Sequence, residues 1–218
     1  FLKVNMQACN DAILGDLGRY PMGIYAAKRY IKYWLRLLSL PGNRYVRLCY
    51  DMLMHYDRLG YTNWVTYLRT NLYENGFGYI WESQYVPNHH LFLSEYIQRL
   101  KDQYIQNWRT SCLDKSKLKH YVGFKQDFIT EKYLFVIDIA KFRACMVNFR
   151  SSAHCLMIEK GRHHSISSEF RTCPYCEGCI EDEFHFILVC PLYNNLRDKY
   201  ISDTYAKHPS VDKFYRFY

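Results

Sequence analysis

The chain has 218 residues, enough for one large domain or two small ones, and a formal net charge of +8. The excess of Lys and Arg over Asp and Glu favours an anionic partner, with nucleic acid first among the candidates. No apolar run approaches the roughly 18 residues needed to cross a membrane, so no membrane partner is expected.

Periodic apolar positions predict mainly helical structure in the N-terminal half. One helix is predicted to end at Pro41-Gly42, with Ile24, Ile31, Leu35 and Leu38 on its apolar face. The next helix ends at Gly60, and its predicted apolar face comprises Val46, Cys49, Leu53 and Tyr56. Asn63 is expected to cap a helix over Trp64–Glu74, and Ser94 a helix that runs to about Trp108.

Basic residues are concentrated in the first of these helices. Lys28, Lys32 and Arg36 recur every four residues with Arg29 beside them, and no acidic residue lies between Arg19 and Arg47. Like charges at this spacing oppose helix formation unless phosphates neutralise them. We therefore expect nucleic-acid contacts at Lys28, Arg29, Lys32 and Arg36. A solvated helix face is the alternative, and most of the interleaved tyrosines are expected to pack in the core.

Further along the chain, one long helix is predicted over Tyr133–Arg150. Strands are weakly indicated, at Gly78–Trp81 and Leu156–Glu159. A boundary near Thr130 is expected to separate a helical region, residues 1–130, from a C-terminal helix with a small metal-stabilised domain, residues 131–218. The predicted fold class is therefore mainly α, with a zinc-stabilised C-terminal knuckle domain.

Four of the nine cysteines lie between residues 173 and 190, and the others are scattered without a secretory pattern. This usage indicates a reducing intracellular compartment, nucleus or cytoplasm, where clustered cysteines more often bind metal than pair with each other. Cys173, Cys176, His185 and Cys190 have the spacing C-x2-C-x8-H-x4-C. Two residues between thiolates let one tight turn direct both sulfurs at one ion, and zinc takes four such ligands tetrahedrally.

With four protein ligands the predicted zinc has no open position for water and is structural. Gly178 would allow the chain to reverse after the first pair, Asp182 would cap the short helix that carries His185, and Pro191 would start the following helix. Cys179 remains an alternative to His185 as a ligand. The iron–sulfur pattern that Cys179 suggests fails because its last cysteine comes too late. Four coincidentally buried thiols and a core histidine would be the other alternative.

No catalytic motif is present. The acidic residues Glu181, Asp182 and Glu183 are adjacent on a turn and do not converge, so capping explains them better than catalysis. The paired histidines at 89–90 and 163–164 have no cysteines at ligand spacing. Phosphate-binding, serine-hydrolase and metalloprotease motifs are absent, so neither an enzyme nor a small-molecule substrate is expected.

The segments FRSSAHCLMIEKGRHH, residues 149–164, and RTCPYCEGCIEDEFHFILVCPLYNNLR, residues 171–197, resemble the C-terminal region of LINE-type (non-LTR) retrotransposon polyproteins. In that family a reverse transcriptase is followed by a helical thumb and linker, then a knuckle ending in E-x-x-H-x-x-x-x-C-P. Here Asp182 stands at the position of the glutamate. LGRYP at 17–21 and KRYIKYWLRL at 28–37 also resemble the segment after the polymerase core.

The resemblance implies zinc binding and RNA or DNA binding during target-primed reverse transcription, next to an upstream polymerase domain. The polymerase motif of paired aspartates after an aromatic residue is missing, and the 28 residues after Cys190 are too few for an endonuclease. With Phe1 as the first residue, a non-catalytic fragment of a longer polyprotein is expected. Arginines flanking the knuckle are further candidates for nucleic-acid contact, namely Arg150, Arg162, Arg171 and Arg197. A zinc-stabilised protein-interaction module is the alternative function.

Overall fold

The computed structural model describes residues 3–217, which are mainly helical and contain no β-strand, as the predicted fold class requires. In chain order the helices are α1 (Asn10–Leu17), α2 (Met22–Leu38), α3 (Tyr45–Arg58), α4 (Trp64–Glu74), α5 (Gly78–Ser83), α6 (His89–Asp114), α7 (Tyr121–Phe124), α8 (Tyr133–Val136), α9 (Ala140–Arg150), α10 (Met157–His163), α11 (Asn194–Tyr200), α12 (Asp203–Ala206) and α13 (Val211–Phe217). Short 3₁₀ turns occur at Ser116–Leu118, Ser168–Phe170 and Pro191–Tyr193, and a π-helical turn at His185–Val189.

The chain forms two compact units. The central unit is Tyr20–Asn107, and the terminal unit combines the residues up to Arg19 with those from Trp108 onward. This division differs from the predicted boundary near Thr130, which lies inside the terminal unit. The physical reason is that α1 packs with residues far along the sequence, a pairing that sequence periodicity does not reveal.

The central unit is organised around aromatic side chains. Trp34 of α2 is fully buried, and its Nε1 donates a 2.9 Å hydrogen bond to the hydroxyl of Tyr50. That hydroxyl in turn donates to Gln84 Oε1 at 2.7 Å. Ile31 and Leu35 are buried on the predicted face of α2. The core therefore combines apolar burial with satisfied polar groups.

The predicted apolar face of α3 is correct only at Leu53, which packs partly buried against the core. Tyr50 is the buried residue of this helix, whereas Val46 and Tyr56 are 45% and 43% exposed. α3 carries apolar residues on two sides, so periodicity alone does not choose between them. The hydrogen bond between Trp34 and Tyr50 selects the side that faces the core.

Several predicted element boundaries also need correction. Both predicted strands are helical, within α5 and at the start of α10, because short apolar runs fit either structure. α6 begins at His89 rather than at Ser94, and Asn88 Oδ1 accepts from the Leu91 amide at 3.0 Å. The predicted helix over Tyr133–Arg150 is broken between α8 and α9. The Asn63 cap of α4 is confirmed, since its side chain accepts from the Val65 amide at 2.8 Å.

A buried ion pair joins the two sequence segments of the terminal unit. Asp16 of α1 accepts from Arg150 Nε at 2.8 Å and Nη2 at 3.1 Å, and from the Tyr133 hydroxyl at 2.7 Å. Both charged residues are 3% exposed. Next to Asp16, a Cβ on Gly15 would lie 2.5 Å from the Tyr121 hydroxyl, so only glycine permits this approach.

Candidate metal centre

The first cysteine pair lies in a tight reversal of the chain. Thr172 and Ile180 form an isolated antiparallel bridge, and the Cys173 amide donates to the Cys179 carbonyl at 2.8 Å. Between them Gly178 has φ +70°, in the left-handed region that glycine adopts without a Cβ penalty. The predicted reversal at Gly178 is thus confirmed, and it brings Cys173 and Cys176 to the same side of the loop.

The second ligand pair lies on the π-helical turn. Asp182 Oδ1 accepts from the His185 amide at 2.8 Å, which confirms Asp182 as the cap of this turn. The Cys190 amide donates to the His185 carbonyl at 2.7 Å, so the turn closes with both ligands at its ends. Pro191 then begins a 3₁₀ turn, as predicted.

The ligand atoms of Cys173, Cys176, His185 and Cys190 all lie within 4.8 Å of one another. The Cys190 sulfur is 3.9 Å from that of Cys173 and 3.7 Å from that of Cys176. Disulfide sulfurs would be about 2 Å apart. A tetrahedral ion with metal–sulfur bonds of about 2.3 Å separates its sulfurs by about 3.8 Å. These four residues could therefore hold a metal ion.

The histidine supplies an independent indication of a missing partner. His185 is 4% exposed, and its Nε2 is buried without a hydrogen-bond partner. An orphaned buried nitrogen costs on the order of 1–3 kcal/mol. Coordination of a metal by Nε2 would remove this penalty and would explain why the ring faces three sulfurs.

The thiols are crowded enough to disfavour negative charge unless a cation is present. Burial raises the pKa of the Cys176 thiol to about 12, and its hydrogen bonds to Cys190 and Cys173 add to the shift. A bound metal reverses this preference because it coordinates the thiolate form. Cys179 is exposed and lies outside the ligand cluster, although its carbonyl helps to shape the loop.

Arg197 does not serve as an exposed contact, contrary to the sequence prediction. It is 6% exposed, and its guanidinium donates to the carbonyl of Cys190, to the Ile187 carbonyl at 3.1 Å and to Asn194 Oδ1 at 2.5 Å. The Ile187 and Cys190 carbonyls belong to the segment that carries the second ligand pair, and Asn194 begins α11. Arg197 therefore fixes the Cys190 backbone and is unavailable to phosphate.

The prediction for Arg150 is wrong for a similar reason, since its guanidinium is buried against Asp16. Arg162 and Arg171 are half-buried and also form internal bonds. Arg162 donates to Glu159 Oε1 at 3.2 Å, and Arg171 donates to the Ile166 carbonyl at 2.8 Å. The four flanking arginines thus act first as supports of the terminal unit.

The four basic residues of α2, here called the basic stripe, lie on the surface, unlike the arginines near the knuckle. Lys28, Arg29, Lys32 and Arg36 are all exposed, and none of them takes part in an ion pair among residues 3–217. These residues belong to the central unit. Their charges are available to an anionic partner.

All three adjacent acidic residues, Glu181, Asp182 and Glu183, have hydrogen-bond partners. The sequence did not identify the partners of Glu181 and Glu183. Glu181 accepts from the Met157 amide at 2.6 Å, and Glu183 Oε1 lies 2.8 Å from His154 Nε2. Burial works to raise the pKa of Glu183, but the hydrogen bond and charge of His154, the backbone and His120 together outweigh it, so this pKa lies below its ordinary value. Burial also works to raise the pKa of Asp182, but His120, the His185 amide and the charge of Lys119 together outweigh it and lower this pKa.

Comparison with known proteins adds no family assignment, because no family model, curated protein or solved structure matches the chain. Among the described residues, none of the helices is both long enough and apolar enough to span a membrane.

Proposed function

We propose that the chain is a non-catalytic, zinc- and nucleic-acid-binding C-terminal region of a LINE-type reverse transcriptase polyprotein. The observation that carries the zinc assignment is the cluster of three sulfurs around the orphaned Nε2 of His185. A Cys₃His set fills four tetrahedral positions, so the zinc is structural and holds the loop at Cys173 and the turn at His185 together.

The basic stripe supports nucleic acid as the partner. Four exposed cations, Lys28, Arg29, Lys32 and Arg36, lie on successive turns of α2 without acidic neighbours to neutralise them. Such a row binds phosphates without reading sequence. The upstream polymerase domain of the same polyprotein would be the second partner.

A protein-interaction module remains the second candidate, because α3 exposes large apolar side chains. Tyr45, Leu48 and Met52 are 86%, 50% and 51% exposed. A surface of this kind fits a protein partner better than a phosphate backbone. Salt distinguishes the two functions, since phosphate contacts weaken steeply as salt rises and apolar contacts do not.

The test compares two triple variants of the zinc-loaded chain for binding of labelled RNA and DNA across a salt series. K28Q/K32Q/R36Q removes three charges from the stripe while keeping helix propensity. We expect weaker binding to both nucleic acids and a salt slope lower by about two to three units. K132Q/K141Q/K160Q, at exposed positions of the terminal unit, is the control for net charge.

Equal losses of affinity in the two triple variants would show that only net charge matters. An unchanged salt slope in the stripe variant would show that these residues are a solvated helix face that does not contact nucleic acid. Circular dichroism must first show the same helix content in all three chains. Template-dependent primer extension by a preparation free of contaminating polymerase would contradict the non-catalytic assignment.

A further inference from the structure

Two exposed tyrosines lie beside the basic stripe on α2. Tyr25 and Tyr33 are 48% and 45% exposed, and Arg29 lies between them with the same four-residue spacing. Because residues four apart are neighbours on one side of a helix, these three side chains form a row. This row runs next to the other three residues of the basic stripe. The exposed face of α2 therefore presents cations and aromatic rings side by side.

The opposite side of α2 is fixed in the core. Trp34 is fully buried, and its ring stacks on Trp81 of α5 with 6.1 Å between the ring centroids. At 3.6 residues per turn, Trp34 lies about 180° around the helix from Tyr25. The ring of Tyr33 contacts the half-buried Trp64 edge-on, with 5.8 Å between the centroids. These contacts hold α2 with the basic stripe and both tyrosine rings at the surface.

The positive surface continues into a cavity of about 260 Å³ between α2 and α6. Lys28 and Lys101 line this cavity together with Ser94 and Gln98, and none of the described residues in its wall is acidic. Lys28 is exposed, and Lys101 is half-buried with its Nζ 5.3 Å from the centroid of the Tyr20 ring. A phosphate at this place would be attracted by two cations and repelled by no carboxylate in the cavity wall.

The two rings favour an unpaired strand over a duplex. In a duplex the bases stack on one another, so side chains on a helix surface do not reach the base faces. In an unpaired strand those faces are free and stack on aromatic side chains. Tyr25 and Tyr33 are eight residues apart, about 12 Å along the helix axis, compared with about 3.4 Å between successive nucleotides of a duplex strand. The rings would therefore contact two separate bases.

We propose that this face of α2 binds one unpaired nucleic-acid strand. The basic stripe and Lys101 contact its phosphates, and Tyr25 and Tyr33 stack on two of its bases. Phosphates and base faces are common to all nucleotides, so the surface reads neither the base identity nor the 2′-hydroxyl. The inference rests on the proposed function and adds to it the class of strand that is bound.

The first test needs no variant. A labelled DNA strand of about twelve nucleotides that cannot pair with itself is compared with the duplex of the same sequence by fluorescence anisotropy. The duplex carries about twice the charge, so phosphate contacts alone would favour the duplex. We expect the zinc-loaded chain to bind the single strand about tenfold more tightly. Equal binding, or tighter binding of the duplex, would overturn this inference and leave the proposed function standing, whereas no binding of either would overturn both.

An RNA strand of the same sequence distinguishes the two kinds of nucleic acid. We expect its affinity to lie within about threefold of that of the DNA strand, because neither type of contact involves the 2′-hydroxyl. A difference of about tenfold or more would contradict recognition by phosphates and base faces alone.

The second test assigns the preference to the two rings. Y25L/Y33L removes both rings and keeps apolar side chains of good helix propensity. The affinity for the single strand should fall about thirtyfold while that for the duplex hardly changes, so the ratio between them drops below one. The salt slope should stay the same, because no charge is lost.

The matched control is Y79L/Y85L. These tyrosines are 64% and 67% exposed and lie within or just after α5, which packs on the buried side of α2. The control should leave the affinities for both strands unchanged. An unchanged single-strand affinity in a folded Y25L/Y33L chain, or an equal loss in the control, would contradict stacking on the two rings.

Y25L alone decides the inference if Y25L/Y33L fails to fold, as circular dichroism would show. Tyr25 makes no ring contact within the part of the chain that the structure describes, so its replacement leaves the core intact. The affinity for the single strand should fall about fivefold. An unchanged affinity would overturn the inference.

Discussion

The central unit buries large rings, whereas the knuckle, residues 171–197, buries mainly its ligands. Trp34, Tyr50 and Tyr96 are at most 2% exposed in the central unit. In the knuckle, Cys173, His185 and Cys190 are buried, and Leu188 is the one aliphatic side chain buried as deeply, while Ile180 and Leu192 remain 41% and 49% exposed. A segment that buries so few apolar residues gains less from the hydrophobic effect. We infer that metal coordination replaces apolar burial in the knuckle.

The largest expected effect is that of metal removal, because structural zinc contributes about 10–16 kcal/mol to the folding of small zinc peptides. A chelator should abolish hydrogen-exchange protection at the amides of Cys173, His185 and Cys190. The amides of α2 and α4 should keep their protection, since no cluster of metal ligands occurs in the described part of the central unit. The same chelator saturated with zinc is the control.

Loss of hydrogen-exchange protection in α2 together with the knuckle would contradict the difference between the two regions. It would show that the central unit also depends on the metal.

The converse change should affect only the central unit. W34A removes a fully buried ring and its hydrogen bond to Tyr50, and should lower the free energy of unfolding by about 3–5 kcal/mol. Zinc content at 25 °C should stay the same. Y45A is the matched control, because Tyr45 is 86% exposed and its loss should cost less than about 0.5 kcal/mol.

Urea denaturation followed by far-UV circular dichroism measures the free energy of unfolding without relying on tryptophan fluorescence. Metal analysis of the same samples measures the zinc content. A W34A chain that loses its zinc at 25 °C would contradict the independence of the two regions.

A smaller effect is expected from R197K. Lysine keeps the charge but cannot bond the carbonyls of Cys190 and Ile187 and the Asn194 side chain with one planar group. Groups that orient metal ligands typically contribute 10- to 100-fold to metal affinity, and we expect a loss in that range. Competition with a chromogenic chelator measures it, and R216K, at an exposed arginine of the terminal unit, is the control. Unchanged affinity would mean that Arg197 only fills space.

Features decided by neighbours in sequence could be predicted. The predicted features are the ligand cluster of the knuckle, the chain reversal at Gly178 and the caps at Asn63 and Asp182. Each depends on residues within a few positions, so residue type and spacing suffice.

Features decided by distant partners could not be predicted. Arg150 looks like a surface cation in sequence, yet Asp16, more than a hundred residues earlier, binds it in the interior. The inward side of α3 depends on Trp34 in the preceding helix. None of these pairings leaves a periodic trace in the chain.

The central claim is that three sulfurs and one imidazole nitrogen hold one zinc ion. X-ray absorption at the zinc edge of the purified chain tests it most directly, with metal analysis for stoichiometry. We expect about one zinc per chain, with three sulfurs at about 2.3 Å and one nitrogen at about 2.0 Å. C179S should give the same spectrum. Four sulfurs in the unchanged chain, falling to three in C179S, would show that Cys179 replaces His185 and would contradict the account.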